Sequence, residues 1–98
     1  MTFLYILTNR PYGTLYIGLT TNLVKRINDH KTKTVKGFTE KYNLTNLVYY
    51  EMHDTVENAA IRERLMKKWK RTWKVELIEN SNPQWYDLYD DLLKKVMN

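Results

Sequence analysis

Four side chains suited to proton transfer and phosphate chemistry stand within the first thirty residues: Tyr5, Tyr16, Arg26 and His30. A guanidinium is a flat fork of donors that fits a phosphate and keeps its charge at every working pH. An imidazole gives or takes a proton near neutrality. A phenol ionises near pH 10, so it serves as a base only where neighbouring cations favour the phenolate. Arg26 and Lys25 are candidate sources of that field. Each residue also has a plainer reading. Strand tyrosines mostly pack, this chain has eight tyrosines, and a helical arginine is mostly a solvated charge.

The local sequence brings the four together. Residues 3–8 and 14–19 alternate like strands and flank Asn9-Arg10-Pro11-Tyr12-Gly13, whose proline and glycine supply a turn. Leu4 and Ile6 share one strand face, and Phe3, Tyr5 and Leu7 the other; Leu15, Ile17 and Leu19 oppose Tyr16 and Gly18. Tyr5 and Tyr16 therefore fall on the same, less aliphatic side of a hairpin. A helix follows at once. Thr20, Thr21 and Asn22 are capping types, and Leu23, Val24 and Ile27 form its apolar stripe. Arg26 and His30, four apart, share one helix face.

Tyr16-Ile17-Gly18, with Tyr5 eleven residues before it and Arg26 and His30 after it, resembles the GIY-YIG nuclease domain. That family includes the N-terminal nuclease domain of the bacterial excinuclease C subunit, the catalytic domain of some phage homing endonucleases, and small stand-alone bacterial proteins. The likeness covers nearly the whole chain and is greatest to the stand-alone branch. One departure is visible: Phe3-Leu4-Tyr5 stands where the family has Gly-Ile-Tyr, keeping the tyrosine and losing the glycine.

The resemblance implies roles. Tyr5 and Tyr16 would position or deprotonate the attacking water and contact the scissile phosphate. Arg26 would stabilise charge building on phosphorus, and His30 would move a proton. Tyr42 occupies a place where the family often has a tyrosine or histidine facing the site. Glu63 stands where the family has its metal-binding glutamate, implying one divalent ion, Mg²⁺ or Mn²⁺; a hard cation that keeps several waters needs few protein ligands. An asparagine beyond that helix belongs to the family's site, and Asn80 and Asn82 are both candidates, with Asn82 preferred; its capping role is a sufficient structural alternative.

Composition is consistent with this without pointing to it alone. Net charge is +5, with residues 1–50 at +5, 51–75 at +3 and 76–98 at −3. A basic body suits nucleic acid. Lys25, Lys31, Lys33, Lys36, Lys67, Lys70 and Arg71 are candidate phosphate contacts, which give salt-dependent affinity without sequence readout. No cysteine is present, so no disulfide or thiolate metal site can form. No run of about 18 apolar residues spans a membrane, and no signal-peptide pattern opens the chain; a cytoplasmic protein is the expectation.

The remaining pattern predicts helices and one further strand. Residues 38–43 form a short helix closed by Asn43, and residues 44–51 a third strand. Asp54 and Thr55 cap a long helix starting near Val56, in which Ile61, Leu65, Met66, Trp69 and Trp73 sweep one apolar arc. Their spacing assigns Trp69 and Trp73 to the core. Glu63 lies about 60° beyond Met66 on that wheel, at the rim of the arc. A further helical piece, 74–79, is continuous with the first or broken from it near Thr72. Asn82 caps a last helix, 84–96, with Pro83 at its first position.

The expected architecture is an α/β (α+β) domain, residues 1–98, with a three-stranded, mainly antiparallel sheet flanked by helices. The implied function is a metal-dependent DNA endonuclease of low intrinsic sequence specificity, a monomer or weak homodimer. The alternative is a nucleic-acid-binding accessory module with weak or lost catalysis that needs a DNA-targeting partner protein.

Overall fold

The computed structural model describes residues 1–97. Strands β1 (Thr2–Thr8) and β2 (Leu15–Thr20) form the expected hairpin, followed by helices α1 (Leu23–Lys31) and α2 (Phe38–Lys41) and strand β3 (Asn46–His53). Helices α3 (Val56–Lys67), α4 (Arg71–Ser81) and α5 (Tyr89–Met97) complete the order. The sheet runs β2-β1-β3 and is antiparallel throughout.

Hairpin register pairs Tyr5 with Gly18, Ile6 with Ile17 and Leu7 with Tyr16. The turn is closed by Gly13 N–H donating to the Arg10 carbonyl at 2.9 Å, and by Thr14 N–H donating to Asn9 Oδ1 at 3.2 Å. The central strand is buried on both faces, because helices cover both. On one side Leu4, Ile6 and Ile17 pack with Met66 of α3, Ile78 of α4 and Trp85. On the other, Tyr5 and Leu7 pack with Leu23 and Ile27 of α1, Leu44, Leu47 and Leu92 of α5. Asn22 and Thr55 cap α1 and α3 as expected, each accepting a backbone N–H three residues on, at 3.2 and 3.1 Å.

The third strand carries a bulge at Val48, opposite the Ile6/Leu7 step of β1. The bulge frees the Val48 carbonyl, which accepts from Asn82 Nδ2 at 3.1 Å. Leu47 N–H donates to Asp87 Oδ1 at 3.1 Å, and its carbonyl accepts from Leu88 N–H at 2.7 Å. Residues 82–88 thus close the outer edge of β3, which would otherwise offer unpaired backbone groups.

Three sequence expectations are corrected. The long helix breaks after Lys67, the second of the two readings, but α4 begins at Arg71, three residues before the expected start at 74. The two helices cannot share one stripe, so Ile61, Leu65 and Trp73 are left half-exposed and Trp69 half-buried. Of that arc Met66 is buried as expected, and Ala59, two turns before it, is the other buried position of α3. Lastly, Asn82 ends α4 rather than opening a helix at 84, and α5 starts at Tyr89. Its side chain is drawn to the β3 bulge, and Tyr86 N–H donates to Asn82 Oδ1 at 3.0 Å.

Candidate active site

Tyr5 is the centre of the site. It sits on the central strand and is fully buried. Its ring lies over Gly18 on the neighbouring strand. A Cβ at position 18 would stand 2.5 Å from both Cζ and Oη of Tyr5, so the glycine is there for room. The hydroxyl lies 3.0 Å from His30 Nε2, and His30 Nδ1 lies 3.0 Å from Thr39 Oγ1. Phenol, imidazole and hydroxyl form one buried chain from β1 through α1 to α2.

Electrostatics set its proton arrangement. Burial, and the Arg26 charge next, hold the His30 pKa below its ordinary value, with Asp29 opposing. The ring is therefore neutral near pH 7, accepting at one nitrogen and donating at the other. Burial also raises the Tyr5 pKa, helped by Tyr16 and Glu63 and opposed by Arg26. Tyr5 stays protonated and donates to Nε2, which leaves Nδ1–H to donate to Thr39 Oγ1. Tyr5 is thus a neutral donor in this arrangement, not a free phenolate.

Tyr16 is the phenol with access to solvent. It is half-buried, with its ring centre 6.3 Å from that of Tyr5 and 6.0 Å from that of His30. Arg26 comes from α1, whose Leu23 and Ile27 pack on the Tyr5 face. Glu63 comes from α3, whose Met66 packs on the opposite face. Both charges nevertheless act on Tyr5. The carboxylate of Glu63 lies 3.3 Å from Lys67 Nζ, with its side chain about one-quarter exposed. Tyr42 joins through Phe38: ring centres are 4.7 Å apart for Phe38–Tyr42 and 6.4 Å for Tyr16–Phe38.

Among the described residues no three His, Cys, Asp or Glu side chains gather as a metal-binding group. Glu63 is one hard oxygen donor, partly open to solvent. That suits an ion retaining most of its water, Mg²⁺ above all, and not a cation needing an all-protein cage.

The basic candidates divide. Lys25, Lys36 and Lys67 make exposed ion pairs with Asp29, Glu40 and Glu63, and still face solvent. Lys33 is exposed in the loop before α2, and Lys70 is exposed at the start of α4. Lys31 is different: its ammonium donates to the Thr45 carbonyl at 2.9 Å, pairs with Asp87 and lies over the Tyr89 ring. Arg71 donates to the Tyr12 and Gly13 carbonyls and clamps the hairpin turn to α4. Both side chains are thereby engaged by oxygens of the chain itself, Lys31 half-buried and Arg71 exposed. Asn82, buried and bonded to Val48, Tyr86 and its carbonyl, has its amide engaged in holding the chain. Asn80 is exposed on α4 beside Trp69, Trp73 and Glu76. Thr39 and Phe38 were not singled out by sequence. No spacing rule links them to His30 or Tyr16; only the fold of the 32–37 loop does.

A hairpin leading straight into a helix thus gathers Tyr5, Tyr16, Arg26 and His30 on one side of the sheet. Residues 1–76 match the GIY-YIG catalytic domain, and the chain belongs to that family. It is 34% identical over 82 residues to a UPF0213 protein of Clostridium perfringens, covering 84% of this chain and 87% of that one. A UPF0213 protein of Syntrophus aciditrophicus is 36% identical over 72 residues, covering 72% of this chain and 82% of that one. The solution NMR structure of a UPF0213 protein from Bacillus halodurans shares the fold. Its TM-score is 0.55 at 25% identity, over 89% of this chain and 93% of that one. The family supports a nuclease-like function.

Proposed function

We propose that the chain is a divalent-metal-dependent DNA endonuclease of low intrinsic sequence specificity. The observation that supports it is the convergence on one phenol: Tyr5 is bonded to His30 and lies in the fields of Arg26 and Glu63, which come from helices on opposite faces of the sheet. Arg26 takes a non-bridging phosphate oxygen in its fork and stabilises the charge that builds in the transition state. Tyr16, the accessible phenol, orients the attacking water. Tyr5 and His30 are buried behind it, so they act by positioning Tyr16 and Arg26, with Thr39 fixing the imidazole tautomer. Glu63 would hold the divalent ion, which when bound supplies counter-charge to the phosphate. Tyr42 and the exposed lysines 25, 33, 36, 67 and 70 lie outward, where a DNA backbone would pass.

The test is nicking of supercoiled DNA with Mg²⁺ or Mn²⁺, beside Glu63→Ala. The wild type nicks, and the variant loses about a hundredfold or more in rate while still retarding DNA in a gel. Equal nicking by both overturns Glu63 as the ligand. Retardation without nicking by the wild type supports the accessory module acting with a DNA-targeting partner. That reading has one observation in its favour, the engagement of the Lys31 and Arg71 charges by oxygens of the chain itself, which thins its phosphate contacts.

A further inference from the structure

Phe38 and Tyr42 are large aromatic residues, 49% and 43% exposed, at the first position and just past the end of the four-residue α2. Neither belongs to a core cluster. Packed on each other, the two half-exposed rings make a contiguous aromatic patch outside both cores. Gly37 sets it there: φ is 114°, a backbone angle that side-chain-bearing residues rarely adopt, while a Cβ at that position would meet nothing within 4 Å. The glycine serves the turn into α2, and the turn presents Phe38 at its first helical position.

The two rings continue the site. Phe38 lies nearly parallel to Tyr16, with 27° between the planes, and Tyr42 packs on Phe38 at 4.7 Å. An aromatic ladder therefore runs from the accessible catalytic phenol out to solvent. Cations border it: Lys41 Nζ stands 5.4 Å over the Tyr42 ring, and Lys33 and Lys36 lie in the preceding loop. Aromatic faces beside backbone-neutralising lysines are how proteins hold unpaired strands, since every base has a π-face to stack. In intact duplex that face is covered by its neighbours.

We propose that Phe38 and Tyr42 form a stacking shelf for an unpaired base next to the scissile phosphate, so that the preferred substrate is DNA with single-stranded character at the cut. The position of the cut rests on the nuclease reading above; the binding does not.

The experiment measures binding and cleavage separately. Fluorescence anisotropy in EDTA compares a short labelled DNA single strand with the duplex of the same sequence. The wild type binds the single strand more tightly. Phe38→Ala weakens single-strand binding about five- to hundredfold and leaves duplex binding unchanged. Phe38→Trp keeps the wild-type preference, and Phe38→Leu, apolar but without a π-face, behaves as Phe38→Ala. Equal wild-type affinities, or full binding by Phe38→Leu, overturn the shelf. Magnesium is then added. Phe38-dependent binding with no cutting leaves the shelf standing and sinks the nuclease reading. Equal cutting of both substrates by the wild type and Phe38→Ala does the reverse. Thermal melts show whether Phe38→Ala folds, and Phe38→Trp, with its ring retained, reports even if it does not.

Discussion

The molecule holds two clusters of nearly the same residue types, one on each face of the sheet. On the α1 side stand Tyr5, His30 and Thr39, with Arg26 alongside. On the α3 side stand Tyr49, Glu51 and His53 at alternate positions of β3, with Arg62 reaching in from α3. There the charges are closed among themselves. Arg62 grips both oxygens of Glu51, at 3.0 and 3.2 Å, while the Tyr49 hydroxyl and His53 bond to the same carboxylate. Burial works against the Glu51 charge, but those hydrogen bonds prevail and hold its pKa below the usual range. Burial and the Glu51 bond push Tyr49 up to about 12. On the α1 side, among the described residues, no carboxylate is bonded to Tyr5, His30 or Arg26, and Arg26 is left opposing the protonation of Tyr5. A satisfied network stabilises; a network whose cation lacks a carboxylate partner, beside an accessible phenol, is able to act on something else.

Exchanging the two arginines' roles gives the largest expected effect. Arg26→Ala loses about a hundred- to a thousandfold in cleavage rate with little change in melting temperature. Arg62→Ala keeps its rate per folded molecule but loses about 1–3 kcal/mol of stability, because it leaves a mostly buried carboxylate uncompensated, discounted for its partial exposure. Rate loss in Arg62→Ala without destabilisation would erase the distinction. Gly18→Ala comes next. Its new methyl forces Tyr5 off its place, costing about 1–3 kcal/mol by denaturant unfolding, and it lowers cleavage as well. An alanine tolerated without either change would show that the phenol needs no such room.

The smallest effect is on pH. His30 has a depressed folded pKa, so its contribution is complete above about pH 6.5 and declines as pH falls below that, where the unfolded chain gains a proton first. Tyr5 and Tyr49 have raised folded values, so their contributions hold below about pH 10 and are lost as pH rises beyond it. Denaturant midpoints should thus form a plateau between those limits. The decline that begins near pH 6.5 should vanish in His30→Gln, leaving the later acid loss from Glu51 below about pH 4.5 and the alkaline one in place.

Much of this was legible in local sequence. Alternation with a Pro-Gly turn specified the hairpin and its faces, and Asn22 and Thr55 announced their helices, because strands and caps are decided by residues a few places apart. Whether and where α3 breaks from α4 was not decided by sequence, which left a continuous helix and a break near Thr72 both open. Ile61, Leu65, Trp69 and Trp73 keep helical spacing straight across it, and only packing of the two helices on the sheet separates them. The same limit hid the uses of Asn82, Lys31 and Arg71, whose partners lie 34 or more residues away or in a turn backbone. It also hid Thr39, whose one link to the site is a hydrogen bond formed after the chain has folded back.

The bulged third strand carries a consequence for anyone trimming this protein. The stretch shared with the catalytic-domain family ends at residue 76, yet Ile78, Trp85 and Leu92 complete the two cores, and Asn82 and Asp87 bind the rim of β3. A fragment stopped at the family boundary would keep every reactive side chain and lose the frame that aims them.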